Sequence, residues 1–129
     1  MPARSRAVRR PTLLDLPTIL AICAAGGAAS LLRLAFSRWH GALPWGILLA
    51  NSLASLLLGI WLHGQGWGQP VAMAGFCGGL STFSSVVAAS GEYLRSGRRL
   101  KAVANTALNL TVPFTALLLG VVVGAGLLN

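Results

Sequence analysis

Four long apolar stretches, almost free of charge, occupy most of the sequence. They cover residues 16–36, 44–62, 71–93 and 103–128. A helix that crosses the hydrocarbon core of a bilayer needs about 20 mostly apolar residues, so all four stretches qualify. Only 9% of the 129 residues are charged, too few to cover a soluble domain that is 55% hydrophobic. The pattern predicts an all-α membrane protein with four transmembrane helices, located in a cell inner membrane or plasma membrane.

The charged residues divide the chain into a basic N-terminal tail, residues 1–14, and a four-helix transmembrane domain, residues 15–129. The apolar stretch after the tail is too long for a signal peptide and ends at Arg33 and Arg38 without a clear cleavage site, so we expect it to remain in the mature protein. The formal charge of +8 would suit nucleic acid. However, the basic residues lie in the tail and in the connections beside the spans, which is typical of membrane proteins, and we expect no nucleic-acid partner.

Lysine and arginine are distributed almost equally between the two sides of the predicted membrane. One side carries Arg4, Arg6, Arg9 and Arg10, and the other carries Arg38, Arg95, Arg98, Arg99 and Lys101, with Arg33 slightly inside the first helix. Because the positive-inside rule acts on the difference between the sides, a near tie gives little preference for one orientation. We therefore predict a dimer of two oppositely inserted copies. A single orientation set by an insertion partner is the alternative.

The predicted spans contain neutral hydrogen-bonding side chains but no carboxylate. Asp15 and Glu92 are the only acids and fall near the ends of spans, which disfavours a proton-coupled exporter of cations. Asn51 lies on the second span, and Asn105 and Asn109 share one face of the fourth. Such groups serve either as contacts between helices or as donors along an anion path. Three asparagines without neighbouring acids favour the anion path.

The stretch GFCGGLSTFSSV, residues 75–86, places two adjacent glycines and four hydroxyls inside the third span. Each glycine destabilises a helix by about 1 kcal/mol relative to alanine, so we predict that the third helix is broken at Gly78-Gly79. Hydroxyls such as those of Ser81 and Thr82 can satisfy backbone groups released by the break, and freed carbonyls can bind a monovalent cation. A tight crossing of two helices at the glycines, without an ion, is the alternative.

Three motifs together resemble the Fluc (CrcB) family of fluoride channels over essentially the whole chain. They are GGAASLLR in the first span, PWGILLANSLASLLLG in the second and GFCGGLSTFSS in the third. The resemblance implies a fluoride-specific channel, not an enzyme, that lets cytoplasmic fluoride leave passively and so lowers its toxicity. It also implies a dual-topology antiparallel homodimer whose partners are fluoride, sodium and membrane lipid. A non-conducting or half-active subunit of a heterodimer with a paralogue is the alternative.

The resemblance further implies roles for individual residues. One structural Na⁺ ion at the dimer interface would be held by the backbone carbonyls of Gly78 and Ser81. The resemblance does not settle the role of Arg33; because a buried arginine needs a partner and acids are scarce, we expect it either to bind backbone carbonyls or to attract the anion at a vestibule. Within the pore, an amide would donate to fluoride and an aromatic ring would present its electropositive edge. We assign the fluoride path to Asn51, Phe83, Thr82, Ser84, Asn105 and Asn109.

Several positions depart from the pattern of that family. A second phenylalanine is expected where Val86 stands, a threonine where Ile47 stands and a glutamate where Ala89 stands. Asn105 and Asn109 stand where a tyrosine and a serine are expected. Because Val86 removes a ring edge and Ile47 removes a hydroxyl, we expect weaker fluoride conduction through this pore.

Overall fold

The computed structural model describes residues 15–66 and 68–128, and this part of the chain contains helices and connections but no strand. Helix α1 is Leu16–Ser37 and helix α2 is Trp45–Trp61. Helix α3 covers residues 68–80 and consists of Gly68–Pro70, the π-helical segment Val71–Cys77, and Gly78–Leu80. Helix α4 is Phe83–Arg95 and helix α5 is Arg99–Leu128. The all-helical prediction is confirmed for the described residues, whereas the predicted basic tail lies outside them.

Among the described residues, three helical segments are long and apolar enough to cross a membrane. They are Leu16–Ser37, Gly68–Arg95 and Arg99–Leu127. Helix α2 is also apolar but has 17 residues. At 1.5 Å per residue it covers about 26 Å of a hydrocarbon core about 30 Å thick. The prediction of a multi-pass membrane protein is confirmed, and the count of four spans stays a prediction.

Helices α1 and α3 approach each other closely at glycine residues. A Cβ atom at Gly75 would lie 2.9 Å from the Ile22 carbonyl oxygen, and a Cβ atom at Gly79 would collide with the Gly26 carbonyl oxygen. Small residues allow membrane helices to approach to this distance. Gly78, by contrast, is exposed. The tight helix crossing, which was the alternative prediction for the two glycines, is therefore present. Of the pair, Gly79 contacts α1 and Gly78 does not.

Helices α2 and α5 share the largest contact between elements. A Cβ atom at Gly59 would collide with the Leu117 carbonyl oxygen, and one at Gly120 would collide with the Leu56 carbonyl oxygen. These contacts are between backbones, which cannot rearrange as a flexible side chain can. The glycines therefore fix the relative register of α2 and α5, and this register brings the asparagines of the two helices together.

The interruption between α3 and α4 lies at Ser81 and Thr82, so the predicted break at Gly78-Gly79 is wrong. Gly78 has helical angles, with φ of −63° and ψ of −39°, whereas ψ is 149° at Ser81 and 116° at Thr82. The contact of Gly79 with α1 offsets the low helix propensity of glycine. Thr82 instead caps α4, because its side chain accepts a hydrogen bond from the Ser85 N–H.

Candidate functional site

Asn51 binds both polar groups of the Thr82 backbone. Its side-chain oxygen accepts a hydrogen bond from the Thr82 N–H at 2.7 Å, and its amide nitrogen donates to the Thr82 carbonyl at 3.2 Å. Both residues are buried, with exposed fractions of 8% and 9%. The backbone groups of an interrupted helix need partners when no water is available. The Asn51 side chain supplies both partners and so holds the interruption in place.

Three buried asparagines and two hydroxyl residues form a continuous hydrogen-bonded series, which we call the amide row: Asn51, Asn109, Asn105, Ser90 and Thr106. The Asn51 amide nitrogen donates to Asn109 Oδ1 at 3.1 Å, and the Asn109 amide nitrogen donates to Asn105 Oδ1 at 3.2 Å. The Asn105 amide nitrogen donates to Ser90 Oγ at 2.9 Å, and Ser90 Oγ lies 3.0 Å from Thr106 Oγ1. Through these bonds the asparagines serve as contacts between helices, which is one of the two roles that the sequence left open. Direct donation to an anion stays a prediction.

Three hydroxyls meet at the start of α4. Thr82 Oγ1 lies 3.1 Å from Ser84 Oγ and 3.2 Å from Ser85 Oγ, and it accepts the Ser85 N–H at 3.4 Å. A hydroxyl can donate or accept, and its hydrogen rotates to suit its neighbour. The cluster can therefore turn O–H groups toward a nearby anion without a change in the backbone.

A cavity of about 420 Å³ opens between α1, α2 and the start of α4. Its polar wall residues are Ser30, Arg33, Ser37, Thr82, Ser84 and Ser85, and we call it the hydroxyl cavity. Arg33 is the charged residue on this wall, and its Nη1 atom also lies 3.5 Å from the Ser81 carbonyl oxygen. Arg33 thus contacts a backbone carbonyl, which is one of the two roles that the sequence left open, and it borders the hydroxyl cavity. Attraction of an anion there stays a prediction.

Phe83, Gly78 and Ser81 lie at the surface of the single chain. The Phe83 side chain is 63% exposed, and Gly78 and Ser81 are exposed too. The two latter residues border a second cavity, of about 150 Å³, which is also lined by Ser55 of α2. The structure therefore brings Thr82, Ser84 and Arg33 together at the hydroxyl cavity and leaves the predicted ring and metal ligands at the surface.

The carbonyls of Gly78 and Ser81 lack the donors that a continuous helix would give them. In an α-helix each carbonyl accepts from the N–H four residues later, which would be the N–H groups of Thr82 and Ser85. Here the Thr82 N–H donates to Asn51 and the Ser85 N–H donates to Thr82 Oγ1. Freed carbonyl oxygens at a helix interruption suit a hard cation such as Na⁺. Two carbonyls are too few to enclose an ion, so the residues fit a sodium site if a second chain contributes.

Val86 fills a buried position beside α5. It is 1% exposed, and its carbonyl accepts from the Asn105 amide nitrogen at 3.4 Å. We expect Val86→Phe to destabilise the protein by about 1–3 kcal/mol, because the larger ring has no room. Thermal unfolding in detergent measures the change, with Val87→Phe, at a position that is 54% exposed, as the control. A Val86→Phe protein at least as stable as the wild type would contradict this expectation.

Sequence reasoning did not single out Ser90 and Thr106 of the amide row or Ser30 and Ser37 of the hydroxyl cavity. A serine or threonine in a helix commonly bonds to the preceding turn, so a single one carries little signal. Ser90 follows Val86 by one helical turn and therefore lies on the same buried face. This spacing from Val86 was the one feature of the sequence that could have predicted the burial of Ser90.

Known proteins match the region that contains these features. The model of the family described as "CrcB-like protein, Camphor Resistance (CrcB)" matches residues 20–121. A protein of Enterobacter sp. (strain 638) named "Fluoride-specific ion channel FluC" is 34% identical over 110 residues, which cover 77% of this chain and 87% of that protein. "Fluoride-specific ion channel FluC 1" of Symbiobacterium thermophilum is 36% identical over 115 residues, which cover 79% and 93%.

The agreement extends to an archaeal protein. "Fluoride-specific ion channel FluC" of Pyrococcus furiosus is 35% identical over 120 residues, which cover 84% of this chain and 97% of that protein. The region that the family model matches, residues 20–121, includes the hydroxyl cavity, the interruption and the amide row. The resemblance found in the three sequence motifs is confirmed, and the chain belongs to the CrcB-like family.

Proposed function

We propose that this chain is the subunit of a channel that lets fluoride leave the cytoplasm down its electrochemical gradient. The hydroxyl cavity carries the proposal, because its polar wall consists of hydroxyl groups and one guanidinium, and neither acid of the chain lines it. Relatives whose alignments cover 77–84% of this chain are named fluoride-specific ion channels. Such a protein transports its substrate and is not an enzyme.

Fluoride has to exchange hydration water for hydrogen-bond donors of the protein. The hydroxyls of Thr82 and Ser84 can donate to it, and the charge of Arg33 raises the local concentration of anions. Asn51, Asn105 and Asn109 stay predicted fluoride ligands. Because their amide nitrogens already have acceptors within the chain, contact with fluoride requires them to exchange a bond of the amide row for the anion.

A second copy in the opposite orientation would complete the path, and α2 would be the fourth span of each copy. The exposed ring of Phe83 supports this arrangement, since its electropositive edge is free to border a cavity of the other copy. The near tie in lysine and arginine between the two sides supports dual topology. Many exposed leucine and valine side chains on α1 and α5 are suited to contact with lipid or with that copy.

Sodium would bind where the two copies meet. The Gly78 and Ser81 carbonyls of both copies would surround the ion, and the exposure of these residues supports their meeting there. Sodium held there would supply a fixed positive charge to the channel.

Fluoride efflux from liposomes that contain this chain alone tests the proposal. Liposomes loaded with potassium fluoride are treated with a potassium ionophore, and a fluoride electrode records release. We expect fluoride to leave these liposomes, while chloride stays in a matched preparation. A folded dimer that releases no fluoride would contradict the proposal and would favour a non-conducting subunit that needs a paralogue.

A further inference from the structure

We propose that Asn51 is a positioning residue for the cation site, acting through the Thr82 backbone without contacting the ion. The inference rests on the proposed function, because it assigns Asn51 a task at the sodium site of that channel. The side-chain oxygen of Asn51 accepts the Thr82 N–H at 2.7 Å. In a continuous helix that same N–H would bond to the Gly78 carbonyl. Asn51 therefore keeps this carbonyl free for the cation.

The bond between Asn51 and Thr82 is short and shielded from solvent. Its length of 2.7 Å is at the short end of the range for N–H···O bonds, and both residues are buried. The second bond, from the Asn51 amide nitrogen to the Thr82 carbonyl at 3.2 Å, fixes the same residue from its other side. Together they hold Thr82 extended, with φ of −155° and ψ of 116°. In this conformation the Thr82 N–H cannot close a helical turn onto Gly78.

Removing the Asn51 oxygen would leave the Thr82 N–H buried without an acceptor. A buried donor that loses its partner is costly, so the chain gains by finding another acceptor. The Gly78 carbonyl is the acceptor that α3 would offer if it continued by one more turn. Such an extension would remove one of the two oxygens that each chain offers to sodium.

Asn109 provides a matched control for Asn51. It belongs to the same amide row and is also 8% exposed, but its bonds go to Asn51 and Asn105. Asn109→Leu therefore removes a buried amide of the same size and leaves the Thr82 N–H with its acceptor. A general loss of stability affects both leucine variants, whereas loss of the cation site affects Asn51→Leu alone.

Bound sodium in the purified full-length protein is the direct readout. Each protein is prepared in sodium chloride, desalted into N-methyl-D-glucamine chloride and analysed by atomic emission spectroscopy. We expect the wild type and Asn109→Leu to keep their sodium, and Asn51→Leu to bind sodium at least about tenfold more weakly. Sodium should also raise Tm for the first two proteins relative to N-methyl-D-glucamine and leave Tm of Asn51→Leu unchanged.

Retention of sodium by Asn51→Leu, or an equal loss in Asn109→Leu, would overturn the inference. If Asn51→Leu does not fold, Asn51→Ala takes its place, with Asn109→Ala as its control, because alanine also removes the oxygen acceptor of the Thr82 N–H. Asn51→Ala should lose sodium in the same way, and retention of sodium by that variant would also overturn the inference.

The wild-type protein separates this inference from the proposed function. A wild type that releases fluoride but holds no sodium would overturn the role of Asn51 and leave fluoride conduction standing. A wild type that holds sodium but releases no fluoride would contradict the channel, and the sodium content of the two leucine variants would still decide the role of Asn51.

Discussion

The Arg33→Gln variant is expected to release fluoride from liposomes at least about tenfold more slowly than the wild-type chain. Arg33 provides the charge on the wall of the hydroxyl cavity. A fluoride ion about 4 Å from a guanidinium gains about 4 kcal/mol at an effective dielectric constant of about 20. Even if the substitution removed only a third of this interaction energy, the loss would be about 1.4 kcal/mol. That loss corresponds to a tenfold change in fluoride occupancy. The fluoride electrode gives the ratio of the two rates at equal reconstituted protein.

Two further variants separate the charge of Arg33 from its other effects. Arg33→Lys keeps the charge and is expected to retain most of the efflux. Arg38→Gln removes a charge from an exposed position that does not line the hydroxyl cavity, and efflux should stay unchanged. Equal rates for wild type and Arg33→Gln would remove Arg33 from the fluoride path and leave it the contact with the Ser81 carbonyl.

The positions of the helices could be predicted well because the length of an apolar stretch is a local property of the sequence. The predicted stretch 16–36 became Leu16–Ser37, and the predicted stretch 44–62 became Trp45–Trp61. The face shared by Asn105 and Asn109 was also predictable, since residues four apart lie on one side of a helix. The bond between these two side chains confirms it.

The partner of that face could not be predicted from spacing along one helix. Asn51 meets Asn109 because backbone contacts at Gly59 and Gly120 set how α2 lies against α5. Many pairs of membrane helices contain small residues, and the sequence does not state which pair makes contact or in which register. The amide row therefore became visible only once the helices were packed together.

The position of the interruption depends on the same long-range contacts. Glycine propensity pointed to Gly78-Gly79, but propensity is a weak preference that packing overrides, as the contact of Gly79 with Gly26 shows. An interruption inside a membrane protein forms where the freed backbone finds partners. At Thr82 those partners come from Asn51, which is 31 residues away in the sequence.

The same packing argument predicts opposite effects for two alanine substitutions on α5. At Gly120 a Cβ atom would collide with the Leu56 carbonyl oxygen, and no side chain can move aside to make room, so Gly120→Ala is expected to lose about 3 kcal/mol of stability. At Gly126 a Cβ atom would meet nothing within 4 Å, and Gly126→Ala is expected to gain up to about 1 kcal/mol, because alanine favours the helix. Thermal unfolding of the two purified variants in the same detergent compares them directly. If Gly120→Ala did not lower Tm, the close contact of α2 with α5 would not be what fixes their register, and the encounter of Asn51 with Asn109 would need another cause.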